Sequence, residues 1–457
     1  MRGTPTVRPR VWLRARALAA RHPHVALLGA VGATLATEPA VQLGRDETTT
    51  LSSLVAASAL GGRAAIAALC LFIAWEGQRR LELARVLACA ACLGLGWTAL
   101  HLLTGVSPDQ DLHFYAEDGS ALLAGSYPSS EYPTGAVLLF AVETWLGGVP
   151  PHALHAVAMV GFHLLTVGAI WSLRTRWSPW LAAFVAVWPL NVFHWEFRYD
   201  VAPTALLILG LALAMRDQWP LAGAALGVGA ALKWSPGLAF LTLTCWLLAR
   251  GKNRAAIGQT AGFALSFAIL TLPFLAWDAS NVIDAYRLQA DRGLTGESVW
   301  YLVFAPLGLT ALGNDVLSAD ARVPASLNVA VTIAQLILLA IVVFLATRVR
   351  ARPQAVALAA LTPAAFLLTN RVFSSQFLVL LVAVWAVAAA LVVASRREQL
   401  VVGLVAAGAS TANAAVHPYT PPAGWRLASV VLFVLAIGLT TWLVKRVVEP
   451  QVAVGPP

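Results

Sequence analysis

The sequence predicts an all-α polytopic integral membrane protein, and its composition and apolar runs carry this prediction. Of the 457 residues, 59% are hydrophobic and only 12% are charged, which excludes an ordinary soluble domain. A membrane-spanning helix needs about 20 mainly apolar residues. Runs 255–277, 325–347 and 377–395 have this character. We therefore expect a bundle of about 11–14 transmembrane helices, joined in part by two long extracytoplasmic loops.

The distribution of basic residues predicts how the chain is oriented. The formal net charge is +9, but the 31 Lys and Arg residues are dispersed between apolar runs, which argues against a nucleic-acid partner. The positive-inside rule places the N-terminus and most basic residues in the cytoplasm. The first such group precedes the first apolar run and comprises Arg2, Arg8, Arg10, Arg14, Arg16 and Arg21. We expect a multi-pass protein of the plasma membrane.

Three regions follow from this map. Residues 1–85 hold the basic cytoplasmic N-terminus and one or two extra transmembrane helices, residues 86–395 form the core, and residues 396–457 form C-terminal helices with a short tail. Two outer segments, near 107–132 and 278–323, are long enough to fold over a cavity. Within the second, the apolar stretch 299–312 is too short to span and is expected to lie on the outer surface.

The region 135–171 requires a different interpretation. It contains two apolar runs separated by Val149-Pro150-Pro151, and together they must cross the membrane an odd number of times. One run is therefore expected to be re-entrant or interfacial, since irregular backbone is tolerated where protein covers it.

Residue types that often mark sites are here better explained by packing and lipid contact. The 17 tryptophans gather near predicted helix ends and are interpreted as an interface belt, with sugar stacking by Trp234 or Trp300 as the alternative. The four cysteines lie in apolar runs, where buried cysteine is common packing material. The nine histidines are scattered and do not pair with nearby carboxylates at ligand spacing, so we expect no metal cofactor.

Ionisable and tyrosine side chains at the outer ends of the helices form the candidate site, because charge at membrane depth is costly and marks function by default. Such a set suits group transfer from a lipid phosphate. A carboxylate deprotonates an acceptor hydroxyl, and cations stabilise the departing phosphate. The candidates are Asp111, Tyr115, Glu131, Tyr132, Lys233, Arg292, Glu297 and Arg371, with Arg198 and Asp200 nearby.

Each charged candidate also has a structural alternative. Asp111 could cap a helix that begins at Leu112. Lys233 could extend its ammonium to the membrane interface, and Glu131 could end a loop before Tyr-Pro. The remaining alternatives are ion pairs: Arg292 or Arg371 with Glu297 or another outer acid, and Arg198 with Asp200, which is favoured over a catalytic role for these two.

Four motifs in order are similar to those of a known family. The first combines Asp111-x-x-x-Tyr115, Leu-Leu-x-Gly-x-Tyr-Pro and Glu131-Tyr-Pro133. The others are Ala-Leu-Lys-Trp-Ser-Pro236, Arg292-Gly-Leu-Thr-Gly-Glu-Ser298 and Arg371-Val-Phe-Ser-Ser-Gln376. Together they resemble bacterial glycosyltransferase family 87, the polyprenol-phosphate-mannose-dependent mannosyltransferases of the C-type superfamily. The resemblance covers roughly residues 86–395. Two departures are Thr134 in place of a second proline and Phe197-Arg-Tyr-Asp200 in place of a polar element.

The resemblance implies a C-type bundle and a metal-independent, inverting transfer outside the cytoplasm. The donor would be a polyprenyl-phosphate sugar, and the acceptor a glycolipid or polysaccharide. Asp111 would be the general base, with substrate bound by Tyr115, Glu131, Tyr132, Lys233, Arg292, Glu297 and Arg371. The rival hypothesis is a transporter or flippase of a lipid-linked sugar, although such proteins typically carry paired repeats. A non-catalytic assembly subunit is the third.

Overall fold

The computed structural model describes residue 17 and residues 19–38, 50–77, 80–104, 110–147, 151–188, 192–310, 320–321, 324–416 and 425–449. Over these residues the regular secondary structure is helical except for one pair of two-residue strands. Eight of the described helices are long and apolar enough to cross a membrane, which confirms the predicted all-α polytopic membrane protein. Six apolar helices of 10–17 residues accompany them. Arg2, Arg8, Arg10, Arg14 and Arg16, with Val149 and Pro150, lie outside the described residues.

The described elements are given in chain order. The first helices are α1 (Pro23–Ala36), α2 (Thr50–Gly77), α3 (Leu83–Thr104), α4 (Gln110–Leu123), α5 (Thr134–Trp145), α6 (Pro151–Trp171), α7 (Ser178–Ala186), α8 (Val192–Phe197), α9 (Val201–Met215) and α10 (Trp219–Leu232). The rest are α11 (Ser235–Ala249), α12 (Asn253–Trp277), α13 (Ala279–Asp291), β1 (Leu294–Thr295), α14 (Val299–Phe304), β2 (Asp320–Ala321), α15 (Ala325–Arg348), α16 (Arg352–Leu368), α17 (Leu378–Val392), α18 (Arg396–Val416) and α19 (Trp425–Val448). Strands β1 and β2 pair antiparallel.

The two apolar runs of region 135–171 become helices of different length. Helix α5 has 12 residues, and at about 1.5 Å per residue it rises much less than the roughly 30 Å of a bilayer's hydrocarbon core. Helix α6 has 21 residues and its segment Ala153–Trp171 is long and apolar enough to span. The shorter of the two runs therefore forms α5, which begins directly after Pro133, at the end of the first outer segment.

The core is built around α17. In the most apolar stretch of this helix 89% of the residues are buried, whereas the corresponding shares are 6% in α12 and 22% in α15. Exposed leucines such as Leu265 on α12 and Leu336 on α15 give these two helices apolar outer surfaces. In a membrane protein such surfaces face lipid, so α12 and α15 lie at the periphery of the bundle.

Several tryptophans lie in the core, so their assignment to an interface belt is wrong. A buried indole N–H usually has a hydrogen-bond partner, and Trp180, Trp246 and Trp385 find one inside the bundle. The Trp246 N–H donates to the Val349 carbonyl at 3.2 Å, and the Trp385 N–H donates to the Thr440 hydroxyl at 3.0 Å. The fully buried tryptophans are Trp97, Trp180, Trp188, Trp246 and Trp385.

Glycines allow α10 and α12 to pack with their backbones in close approach. A Cβ at Gly223 would lie 1.9 Å from the Gln259 carbonyl oxygen, and one at Gly262 would lie 2.1 Å from the Pro220 carbonyl oxygen. Small residues at helix contacts are typical of membrane bundles, where close van der Waals packing takes over from the hydrophobic effect. This packing holds α10 firmly, and α10 ends at the residue before Lys233.

The second outer segment is more structured than the sequence indicated. It begins with α13, which Asp278 caps by accepting a hydrogen bond from the Asn281 backbone N–H at 3.1 Å. The expected surface helix over 299–312 is shorter: α14 ends at Phe304, a 3-10 turn follows at Ala305–Leu307, and Gly308 takes the left-handed conformation with φ of 69°. Left-handed backbone suits glycine and ends the helix. Residues 311–319 and 322–323 lie outside the described residues.

Candidate functional site

A cavity of about 1080 Å³ opens between the two outer segments and the ends of several helices. Its walls come from α4, the turn before α5, the α8–α9 turn, the α10–α11 break, α13, the loop after α13, α15, and the segment that joins α16 to α17. The structure brings together at this cavity all but one of the predicted site residues: Asp111, Glu131, Tyr132, Lys233, Arg292, Glu297 and Arg371.

Asp111 lies in the first turn of α4, which begins at Gln110. It is therefore inside the helix, and the alternative that it caps a helix beginning at Leu112 is wrong. Its carboxylate forms an ion pair with Arg198, and the two side chains remain 30% and 11% exposed. Asp111 thus meets the cavity with a guanidinium held against it.

Arg198 pairs with Asp111 and Asp200 with Lys233, and the described ion pairs do not include the alternative pair between Arg198 and Asp200. Asp200 precedes α9 and its carboxylate Oδ1 lies 2.5 Å from Lys233 Nζ. Residues two apart in a helical turn do not face each other, so each finds a partner from elsewhere in the chain. The tripeptide 198–200 consequently supplies one partner to Asp111 and another to Lys233.

Lys233 reaches the cavity because two helices end on either side of it. Its backbone is extended, with φ of −158° and ψ of 122°, and α11 then begins at Ser235 with proline in its first turn. Proline suits a first turn because no hydrogen bond to its nitrogen is needed there. The ammonium also lies 4.8 Å from the Phe377 ring centroid and 5.3 Å from that of Tyr199. Lys233 is held by the protein and does not extend freely to the interface.

Tyr115 is the predicted site residue that does not line the cavity. Its side chain is buried behind the wall, with ring centroids 4.2 Å from Phe140, 5.3 Å from Tyr132 and 5.6 Å from Tyr199. Tyr132 and Tyr199 line the cavity, so Tyr115 supports both rings. Its position corresponds to packing beneath the site and not to contact with a ligand in the cavity.

The turn that carries Glu131 and Tyr132 is fixed from below. The Ser130 hydroxyl donates to Asp118 at 2.5 Å and accepts from the Tyr132 backbone N–H at 3.1 Å. Burial raises the pKa of Asp118 to about 6, although the hydrogen bond from Ser130 lowers it. This acid was not among the predicted site residues; it anchors the turn without lining the cavity.

Glu131 faces the second outer segment. Its Oε2 accepts a hydrogen bond from Gln289 Nε2 at 3.1 Å and lies 3.7 Å from Arg292 Nη1. Arg292 therefore pairs with Glu131, one of the outer acids expected for it. Both side chains are partly exposed, at 28% for Arg292 and 42% for Glu131, so this link between the two outer segments is weak and open to a ligand.

Thr295 joins the loop after α13 to the segment before α17. Its hydroxyl donates to the Phe373 carbonyl at 3.1 Å and accepts from the Phe373 backbone N–H at 3.0 Å. The Arg371 Nη2 donates to the Ala290 carbonyl at 2.8 Å. Arg292 and Arg371 are consequently carried on two segments that are locked to each other.

Glu297 is the buried acid of the cavity wall. Burial raises its pKa from the ordinary 4.5 to about 7, against the lowering effects of Arg198, of a hydrogen bond from the Ser375 backbone and of Arg292. Near neutral pH this carboxyl is therefore poised between its two protonation states. It can donate a hydrogen bond when it is neutral and pair with an arginine when it is ionised.

Further lining residues were missed because they are ordinary in sequence. Gln289 lies on the amphipathic α13, and Asn370 accepts from the Arg371 backbone N–H at 2.8 Å. Of the two tryptophans considered for sugar stacking, Trp234 lines the cavity, with its ring centroid 4.2 Å from that of Phe366. Trp300 is not among the described residues that line it, and its N–H donates to the Thr369 carbonyl at 2.6 Å. The signal that could have found Gln289 is the polar face of α13, which directly precedes Arg292.

The cavity combines a charged part with an apolar part. The cations that line it are Arg198, Lys233, Arg292 and Arg371, and the acids are Asp111, Glu131 and Glu297. Trp234, Phe366 and Leu367 form an apolar wall that continues to Thr332 and Gln335 on α15, a peripheral helix. This arrangement can hold an anion next to an apolar group.

Some histidines pair with carboxylates in the fold, and the sequence did not predict these pairs because their members lie far apart along the chain. His155 Nδ1 lies 2.9 Å from Glu143 Oε2, and His101 contacts both Glu38 and Glu196. Among the residues that the structure describes, no group of three or more His, Cys, Asp or Glu side chains is arranged to hold a metal ion.

Comparisons with known protein families, with curated proteins and with solved structures find no match to this chain.

Proposed function

We propose that the protein is a membrane glycosyltransferase that transfers a hexosyl residue, by its resemblance a mannosyl residue, from a polyprenyl-phosphate donor. The acceptor is a glycolipid or polysaccharide on the extracytoplasmic face of the plasma membrane. One observation carries the proposal: Asp111 shares a cavity of about 1080 Å³ with Arg198, Lys233, Arg292 and Arg371. This reaction needs a carboxylate to accept a proton and cations to stabilise a departing phosphate.

In the proposed reaction, Asp111 takes the proton of an acceptor hydroxyl while that oxygen forms a bond to the anomeric carbon of the donor sugar. The bond between the anomeric carbon and the phosphate oxygen breaks, and the phosphate leaves with the bonding electrons. Attack opposite to the leaving phosphate inverts the anomeric configuration. Arg292 and Arg371 stabilise the charge that develops on the phosphate, because guanidinium groups match phosphate oxygens in geometry. Lys233 contributes its charge from its position beside Asp200.

The shape of the cavity supports a lipid-linked donor. The apolar wall formed by Trp234, Phe366 and Leu367 lies beside the charged part and leads towards α15, whose outer face is apolar. An isoprenoid unit next to a phosphate has the same succession of an apolar and an anionic part. The proposal therefore places the phosphate between the arginines and the first isoprenoid units along Trp234.

The experiment uses the purified full-length protein in nanodiscs with radiolabelled polyprenyl-phosphate-mannose and a panel of glycolipid acceptors. The wild-type protein is expected to form labelled glycolipid. Asp111→Asn should reduce the rate at least 100-fold, the usual contribution of a general base. A matched control is Asp284→Asn, since Asp284 pairs with Arg287 on α13 outside the described lining. A folded Asp111→Asn protein that transfers sugar at the wild-type rate would show that the base is another group.

The same assay separates the enzyme from the rival transporter or flippase. A flippase moves a lipid-linked sugar between leaflets and leaves it chemically unchanged, so it forms no product in detergent micelles, which have no leaflets. Labelled product in micelles therefore supports transfer. Intact donor in every acceptor reaction, together with accelerated movement of donor between leaflets of vesicles, would favour the flippase.

A further inference from the structure

A second group of charged side chains lies buried in the bundle, apart from the cavity. It comprises Glu38, Arg63, His101 and Glu196, all at most 4% exposed. They come from four places in the chain: two residues after α1, the middle of α2, the end of α3 and α8. None of the four is among the described residues that line the cavity. Because buried charge is expensive in a membrane protein, such a group needs an explanation.

These side chains form a continuous ladder. The Arg63 guanidinium contacts Glu38, donates from Nε to the Thr37 hydroxyl at 3.0 Å and lies 4.4 Å from the Trp97 ring centroid. The other oxygen of Glu38 lies 2.8 Å from His101 Nε2. On the opposite side of the imidazole, Nδ1 contacts Glu196. Both ring nitrogens of His101 therefore lie in contact with a carboxylate oxygen, and Nε2 is hydrogen-bonded to one.

This geometry defines the protonation of His101. A neutral imidazole carries one N–H and one lone pair, so one of its nitrogens would direct a lone pair at a carboxylate. Imidazolium donates from both nitrogens. It also places a positive charge between Glu38 and Glu196, which attracts both carboxylates. The faces of the ring meet only uncharged groups among the described contacts, Trp97 at 5.2 Å and Phe197 at 5.5 Å.

The ladder ends two residues before a residue of the candidate site. Glu196 lies in α8, which has only six residues and cannot be stable on its own. The Trp195 ring stacks on His163 at 3.8 Å, and the Phe197 ring stacks on His101. Arg198 and Asp200 follow directly and form the ion pairs with Asp111 and Lys233. Any rotation of α8 would move both pairs.

We propose that Glu38, Arg63, His101 and Glu196 are positioning residues, with His101 held as imidazolium, and that they fix α8 so that Arg198 faces Asp111. This assigns a role to α1 and α2, which lie outside the region that resembles the glycosyltransferase family. The kinetic part of the proposal rests on the proposed function. The protonation state of His101 and the coupling between the charges do not depend on that function.

The test compares His101→Gln, Glu196→Gln and the double variant, each as the full chain in nanodiscs. Each single variant removes one of the two charges that meet at the His101–Glu196 contact, so both should lower the midpoint of thermal unfolding, and the double variant, which removes both charges, should regain part of the loss. The wild-type protein, labelled with ¹⁵N-histidine, should show at pH 7.5 an imidazolium signal with two protonated nitrogens that His101→Gln removes. Additive losses in the double variant, or the absence of that signal, would overturn the ladder.

The positioning role is tested by kinetics. Both single variants should lower kcat about 10- to 100-fold, with the KM for the donor near the wild-type value, because misplacement of a site costs rate at this scale. The matched control is Gln399→Leu, which removes buried hydrogen bonds to the Ala389 and Val393 carbonyls away from the cavity. It should lower thermal stability and leave kcat unchanged. Unchanged kcat in the ladder variants would refute positioning. If the wild-type protein transfers no sugar, the proposed function fails. The spectra still test the protonation of His101, and the unfolding data still test the coupling of the charges.

Discussion

The Lys233 ammonium lies 2.5 Å from Asp200 Oδ1, and the Asp200 side chain is only 6% exposed. A lysine that the sequence predicts as a phosphate ligand is therefore already paired with a buried acid. The pair fastens the α10–α11 break to the turn before α9. An anion that binds at Lys233 would meet a cation whose position is set and whose charge is partly balanced.

Lys233→Met should destabilise the protein because it leaves the Asp200 carboxylate buried without its cation. Removing one member of a buried ion pair costs about 3–5 kcal/mol, and we expect about 3 because Lys233 keeps some exposure. The double variant Lys233→Met/Asp200→Asn should recover most of this stability without recovering transferase activity. Thermal unfolding in nanodiscs measures the first effect and the transfer assay the second. Equal stability of the single and double variants would contradict the coupling.

Arg292 and Arg287 offer a comparison between an arginine at the cavity and one outside it. Arg292 lines the cavity 3.7 Å from Glu131, whereas Arg287 pairs with Asp284 at 3.1 Å on the exposed surface of α13. Arg292→Gln should raise the KM for the lipid-phosphate donor about tenfold, the effect of losing about 1.4 kcal/mol of binding. Arg287→Gln should leave it unchanged. Initial rates over a range of donor concentrations provide the measurement, and equal KM changes in the two variants would contradict phosphate binding by Arg292.

Thr295 should matter through its hydroxyl. Thr295→Val keeps the shape but loses both hydrogen bonds to Phe373, and it leaves the Phe373 N–H and carbonyl without this partner. We expect a loss of about 1–3 kcal/mol, the cost of leaving buried polar groups unsatisfied. The control Thr295→Ser keeps the hydroxyl and should retain most of the stability. The midpoints of thermal unfolding provide the measurement, and a valine variant as stable as the wild-type protein would show that the hydroxyl does not stabilise the fold.

The sequence predicted the class of fold because the bilayer imposes a strong constraint: each span must satisfy its own backbone hydrogen bonds over a known length. The clustering of Asp111, Glu131, Lys233 and Arg371 at one cavity also agrees with their assignment to outer helix ends. Both inferences depend on the order of apolar and polar segments, which is written along the chain.

Partner choice could not be predicted in the same way. Arg198 has Asp200 two residues away but contacts Asp111, which is far away in sequence, because α4 meets the turn between α8 and α9 in three dimensions. His101 lies 63 residues from Glu38, and no local pattern marks that contact. Trp385 shows the same limit, since the partner of its buried N–H is the Thr440 hydroxyl on another helix. Such pairings belong to the packing of helices, which periodicity and composition do not specify.

Glu297 provides a prediction about pH. Its pKa is raised from 4.5 to about 7 by burial, so between these values the folded protein binds a proton that the unfolded chain has released. Stability that depends on this group therefore falls as the pH rises from 4.5 to 7 and is constant above that range. Glu297→Gln removes the cost of ionising a buried carboxyl. The variant should therefore have the same unfolding midpoint as the wild-type protein near pH 4.5 and a higher midpoint above pH 7. Thermal unfolding of both proteins across this range is the measurement, with Glu117→Gln, an exposed acid on α4, as the control. A difference between Glu297→Gln and wild type that stays constant with pH would show that the carboxyl is ionised throughout, and that Arg198 and Arg292 outweigh its burial.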